Sequence, residues 1–124
     1  MLTNRCSFNL SKILKEHGFP QVSIEFFSDY YDNLGNLNYN LESGFEEFIF
    51  APYICEVIDR FDIDLDLHLS IRLLKNGFQY RIYDLNNNVE ILSTLNKVKL
   101  SSEAYEQCIL RAIEYYDQKK INNV

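Results

Sequence analysis

Asp62, Asp64, Asp66 and His68 recur at every second position and form the densest set of metal-ligating and proton-transferring groups in the sequence. On an extended strand these residues share one face. Carboxylate and imidazole donors suit a divalent cation, but same-face neighbours along a strand stand about 7 Å apart, too far to share an ion without ligands from elsewhere. The spacing therefore predicts a solvated acidic strand face, which also discourages edge-to-edge pairing, and no metal. His17 and His68 are the only histidines, and neither has a nucleophile and a carboxylate at a recognisable spacing. Cys6, Cys55 and Cys108 lie about fifty residues apart with no CxxC pair, which points to neither a zinc module nor a dense disulfide framework but to reduced thiols. Cys55 stands beside Ile54 and Cys108 inside an apolar stripe, so both read as small core residues. Glycine-rich phosphate loops, GxSxG and HExxH runs are missing. The expectation is a protein that is not an enzyme, with no catalytic residue and no cofactor.

Two further constellations suit binding. Asp29, Tyr30, Tyr31, Asp32, Tyr39, Glu42, Phe45, Glu46, Glu47 and Phe48 combine carboxylates with large amphipathic rings. Such rings anchor interfaces, and carboxylates steer toward basic partners and fit grooves lined by Arg or Lys. With Asp62, Asp64 and Asp66 they make two candidate partner-binding surfaces. The competing reading packs the rings inward and leaves the acids as a solvated hairpin. Arg72, Arg81 and Tyr83 are the alternative, ligand-binding set: a small anion or nucleotide would take its phosphate contacts from the arginines and its base contact from the ring. Arg72 and Arg81 are expected to face each other across a hairpin, a like-charge pair that calls for a nearby anion, with Glu90 as the internal candidate.

These residues are placed by a mixed α and β pattern. Ser7 to His17 reads as a short helix with Ser7 as cap and Gly18 as stop. Val22 to Phe27 reads as a strand, Ser28 to Gly44 as a long turn or hairpin with irregular arms, and Phe45 to Phe50 as a short strand. Ala51-Pro52 opens a helix whose apolar face is Ile54, Val57, Ile58 and Phe61, ending near Arg60 to Asp62. Leu65, Leu67, Leu69, Ile71 and Leu73 alternate with polar residues as a half-buried strand. Asn76-Gly77 reads as a type I′ turn, setting Leu73 opposite Tyr80, Ile71 opposite Ile82 and Arg72 opposite Arg81 before a return strand from Phe78 to Leu85. A second turn at Asn86 to Asn88 leads into Val89 to Thr94; a loop of two or three residues decides whether Ile91 or Leu92 faces the core. A final helix from Ser102 to Lys119 carries the stripe Tyr105, Cys108, Ile109, Ala112, Ile113 and Tyr116, with Ile121 to Val124 expected to fray.

The predicted class is α+β: a three-stranded antiparallel meander flanked by helices, preceded by a helix, a strand and an acidic hairpin. Residues 1–124 form a single domain, with a lead-in over 1–50 and an α-β-β-β-α unit over 51–120. That order resembles the double-stranded-RNA-binding domain, but Ser102-Glu103-Ala104-Tyr105-Glu106 places two carboxylates where phosphate binding requires cations. The 124 residues carry a formal net charge of -6 and 47% hydrophobic side chains, enough for one core and the wrong sign for general nucleic-acid binding. Direct nucleic-acid partners are not expected; a protein with a basic surface is. Met1 to Phe8 lacks the pattern of a signal peptide, and no apolar run reaches the roughly 18 residues of a membrane span, so the expected location is cytoplasmic, away from membranes.

Three stretches carry a resemblance: Asn4-Arg5-Cys6-Ser7-Phe8 through Leu10 to Gly18-Phe19, the Ala51-Pro52 helix start, and Ser102-Glu103-Ala104-Tyr105-Glu106 through Ile113-Glu114. In organisation the chain resembles small accessory proteins of phages and prophages in gut Bacteroidales, which have a lysine-rich first helix ending in Gly-Phe and a last helix opened by Tyr, Glu and Ala. It departs from them in the order Ser-Glu-Ala-Tyr-Glu and in a longer acidic middle. The resemblance implies a non-catalytic protein of a mobile element, acting in a bacterial host cell on a basic host protein, including defence nucleases such as CRISPR effectors whose nucleic-acid channel it would occupy. A structural phage protein is the remaining alternative.

Overall fold

The computed structural model describes residues 4–21, 27–42 and 48–122, with backbone alone at 27, 40–42 and 121–122. The fold is α+β, and the described residues form three helices and two antiparallel three-stranded sheets. It divides into two compact units, Arg5–Tyr53 and a second made of Met1–Asn4 with Ile54–Val124.

In the first unit, helix α1 spans Phe8–Glu16 and is capped as expected, with the Ser7 hydroxyl accepting from the Leu10 N–H at 3.2 Å. Gly18 follows at φ 83°, a conformation that suits a residue without Cβ. Strands β1 (Phe27–Tyr31), β2 (Leu37–Glu42) and β3 (Ile49–Phe50) form a sheet in the order β2-β1-β3. The stretch expected to be irregular is thus a regular hairpin. Its one irregularity lies where the register passes from Ser28↔Leu41 to Tyr30↔Asn38, setting Tyr39 and Asn40 against Asp29 in a β-bulge. This bulge breaks the period-2 pattern that would have marked the arms as strands. Cys6, Leu10, Leu14, Tyr30, Phe50 and Ala51 are buried in this unit. The strand expected over Val22 to Phe27 lies outside the described residues except for Phe27, as do positions 43–47.

The second unit runs α2 (Ile54–Leu65), β4 (Leu67–Leu74), β5 (Gly77–Asp84), β6 (Val89–Asn96) and α3 (Ser101–Asn122), with the sheet in the order β4-β5-β6. Helix α3 lies against β4 and β5 and touches α2. Burial alternates along β5 and the first half of β4: Leu67, Leu69, Phe78, Tyr80 and Ile82 turn inward to meet Ala104, Cys108, Ile109, Ala112 and Ile113 of α3.

Five expectations need correction. Helix α2 begins at Ile54, two residues after Pro52, and runs on to Leu65, because Phe61 and Leu65 continue its apolar face. The β4–β5 register is Leu73↔Phe78, Ile71↔Tyr80, Arg72↔Gln79 and Ser70↔Arg81. The turn is Lys75-Asn76, neither with positive φ, and Gly77 belongs to the strand. A Cβ on Gly77 would stand 2.0 Å from the Leu95 carbonyl oxygen, so this glycine serves the close approach of β6 rather than a type I′ turn. Sliding each pair by two keeps every residue's parity, but Leu73, expected on the core face, is 73% exposed near the end of β4. The loop between β5 and β6 has four residues, Leu85 to Asn88, which turns Ile91 toward the core and leaves Leu92 52% exposed. Helix α3 extends past both expected ends and carries Ile121 and Asn122 in its last turn.

Candidate functional site

The longer α2 changes the geometry of the acidic set. Asp62 and Asp64 are helical, and Asp66 takes φ 53° in the link to β4, so these residues do not share a strand face with His68. The period-2 alternation of β4 begins only at Leu67; the preceding Asp-Ile-Asp-Leu imitates it while completing a helical turn. On the helix, Asp59, Asp62 and Ile63 fall at i, i+3 and i+4 on the side away from Val57 and Phe61. Asp59, Asp62, Asp64 and Asp66 are all exposed, and Ile63 is 77% exposed among them.

Few charges answer these acids. Arg60 reaches Asp64 at 3.4 Å, one turn along the helix, and His68 Nδ1 stands 3.9 Å from Asp62. Asp66 accepts from the Asn86 side chain at 3.1 Å. The last turn of α2 contains no basic residue, so the acids crowd the negative end of the helix dipole, where carboxylates are unfavourable. No group of three or more His, Cys, Asp or Glu among the described residues has the geometry to hold a metal ion.

The first unit uses its acidic and aromatic residues largely for itself. Arg5 donates to Asp29 at 2.6 Å, to the Ala51 carbonyl at 2.8 Å and to the Tyr53 hydroxyl at 3.0 Å, while its guanidinium lies 4.4 Å from the Tyr53 ring centroid. Tyr30 is buried, tilted against Phe50, and donates to the Gln21 carbonyl at 3.0 Å; burial pushes its hydroxyl pKa up. Tyr31 donates to the Cys6 carbonyl at 2.7 Å and meets the Phe8 ring edge-on. Asp32 accepts from the Asn36 and Leu34 N–H groups in the β1–β2 turn, and those bonds, the Asn36 bond foremost, hold its carboxyl below the usual range. Tyr39, within the bulge, is 66% exposed. Glu42 lies on β2 without a described side chain, and Glu46 and Glu47 lie outside the described residues.

In the alternative ligand set, the observed register undoes the direct pairing of Arg72 with Arg81. Arg72 stands exposed opposite Gln79. Arg81 donates to Glu90 at 2.7 Å, as expected of the internal counter-charge, and its guanidinium lies 4.9 Å from the Tyr83 ring. Tyr83 donates to Asn88 at 2.6 Å.

One buried polar centre was not anticipated. Asp84, 1% exposed, accepts from Tyr115 at 2.7 Å, from the Asn87 side chain at 2.8 Å and from the Asn86 and Asn87 N–H groups, with Lys119 Nζ at 3.4 Å. Burial alone would raise its pKa; the Asn87 and Tyr115 bonds and the lysine charge outweigh it and hold the carboxyl at about 2. Every lone pair is engaged, which describes a fastening rather than a reactive group. The Cys108 thiol is likewise unreactive, pushed up to about 12 by burial.

Comparison with family models, curated proteins and solved structures finds no match for this chain. Among the described residues, no helix is long and apolar enough to cross a membrane.

Proposed function

We propose that this chain is a non-catalytic binding protein that engages a basic protein surface through the C-terminal end of α2, with Asp59, Asp62, Asp64 and Asp66 as the charged contacts and Ile63 as the apolar anchor. The observation that carries the reading is the siting of these acids. They oppose the helix dipole, they have little local counter-charge, and they surround an exposed isoleucine. Charge placed against the interest of the fold is explained by a partner that supplies the missing cations. A phosphate-binding channel of a nuclease, lined by Lys and Arg, is one such partner class, in line with the resemblance to phage accessory proteins. The first unit contributes less on this reading, because Asp29, Tyr30 and Tyr31 are committed internally. The small-anion alternative has weaker support, since Arg81 is already neutralised by Glu90.

The test is capture of host proteins on the immobilised chain, followed by direct binding of the purified partner. Binding is expected to weaken steeply with salt and to be lost when Asp59, Asp62 and Asp64 are all changed to Lys, while Tyr39→Ser has no effect. A partner held equally by the triple variant sinks the reading.

A further inference from the structure

Strand β6 closes one side of the second sheet, and among the described residues nothing pairs with its outer edge. The Lys97 N–H donates to the Asn76 carbonyl at 3.0 Å, and the ladder continues from Asn96↔Gly77 to Val89↔Asp84. Antiparallel pairing alternates strictly, so Leu95, Ser93, Ile91 and Val89 turn their main-chain groups toward β5. Asn96, Thr94, Leu92 and Glu90 therefore direct theirs outward. This edge has little of the usual protection: no Lys, no Pro and no bulge over eight residues, Val-Glu-Ile-Leu-Ser-Thr-Leu-Asn, whose single charge is Glu90. The opposite edge strand, β4, carries exposed His68 and Arg72 and runs into Lys75.

We propose that β6 pairs with β6 of a second copy of this chain, antiparallel about a two-fold axis through Ser93, joining two three-stranded sheets into one of six strands. The edge is complementary to itself. An axis at Ser93 sets the outward-directed Glu90 opposite Asn96 and Leu92 opposite Thr94 of the second copy, so all four outward residues enter the ladder. On the core-facing side Ile91 meets Leu95, and Ser93 meets its own counterpart. The single charge of the strand, Glu90, never faces its own kind and is already neutralised by Arg81 at 2.7 Å. Leu92, 52% exposed, gains cover. An eight-residue edge is about 27 Å long and buries less than the roughly 800 Å² per partner of a standard interface, so the dimer dissociates on dilution.

The test is sedimentation of the full chain across a concentration series from about 1 to about 500 µM, the range in which a contact of this size dissociates. Mass is expected to double within the series. Leu92→Lys alters an exposed side chain, and Thr94→Pro removes only an outward N–H; both should keep the far-UV circular dichroism and remain monomeric, while Leu73→Lys, also on an exposed side chain, should dimerise as the parent does. Ser93→Cys, at the axis and at a spacing that permits a disulfide, should cross-link to a dimer on oxidation. A parent that is monomeric throughout, masses that grow past two, or folded Leu92→Lys and Thr94→Pro variants that still dimerise overturn the proposal.

Discussion

Tyr115 donates its hydroxyl to Asp84 Oδ2 at 2.7 Å, fastening the C-terminal half of α3 to the last residue of β5. The same carboxylate holds the β5–β6 turn through Asn86 and Asn87, so one buried side chain joins a helix, a strand and a loop.

Stability should therefore depend on pH through Asp84. Its folded pKa of about 2 lies below the ordinary 3.8, so as pH falls the unfolded chain takes up the proton first. The stabilisation is complete above about pH 4 and is lost as pH falls through about 2, and the gap corresponds to roughly 2 to 3 kcal/mol. Urea unfolding at pH 7 should show Asp84→Asn less stable by about that amount and Tyr115→Phe by about 2 kcal/mol. Near pH 2 the Asp84→Asn deficit should nearly vanish, whereas Asp59→Asn, an exposed control, should change little at either pH.

Asp84 also marks what was readable in the sequence. Phe78, Tyr80, Ile82 and Asp84 occupy successive inward positions of one strand, so parity alone places a carboxylate in the core, and the following Leu-Asn-Asn-Asn has the composition of a side-chain-capped turn. The alternation that revealed β4 and β5 also set their faces correctly, and the stripe of α3 was legible because Cys108, Ile109, Ala112 and Ile113 keep helical spacing. What misled was local imitation. Asp62-Ile63-Asp64-Leu65 alternates like a strand while finishing a helix, and Asn76-Gly77 has turn composition while Gly77 answers to Leu95, eighteen residues away in the chain and invisible to any local rule.

Gly77→Ala should be more damaging than Gly18→Ala. Both glycines have positive φ, but an added Cβ at Gly18 meets nothing within 4 Å, leaving only a backbone cost of about 1 to 2 kcal/mol. At Gly77 it would collide with the Leu95 carbonyl and force β6 away. Thermal unfolding should show a loss for Gly77→Ala exceeding that for Gly18→Ala by about 1 kcal/mol or more, with faster amide exchange in β6.

Charge reversal at Asp29 should act on folding before it acts on binding. Asp29 and Arg5 have side chains 17% and 18% exposed and are joined at 2.6 Å, so Asp29→Lys sets two cations together in a partly desolvated site. A loss of about 2 to 4 kcal/mol in denaturant unfolding is expected, with Asp29→Asn intermediate. Arg5→Lys should also destabilise, because an ammonium cannot reach Asp29, Ala51 and Tyr53 with one planar fork. Equal stability of Asp29→Lys and the parent would refute the assignment.

Asp62→Lys should do the opposite at the two levels of function and fold. The residue is half exposed in the last turn of α2, where a cation complements the dipole, and the substitution gives up only a 3.9 Å approach to His68. Removing a carboxylate from that position and adding an ammonium should stabilise the isolated chain by about 0.3 to 1 kcal/mol at low salt, with the gain fading as salt rises. The same substitution should weaken capture of the basic partner. A variant that is more stable but binds less well is the signature of charge held in place for recognition. If Asp62→Lys instead destabilises the chain, the acids of α2 are supporting the fold and the argument for a binding surface there loses its basis.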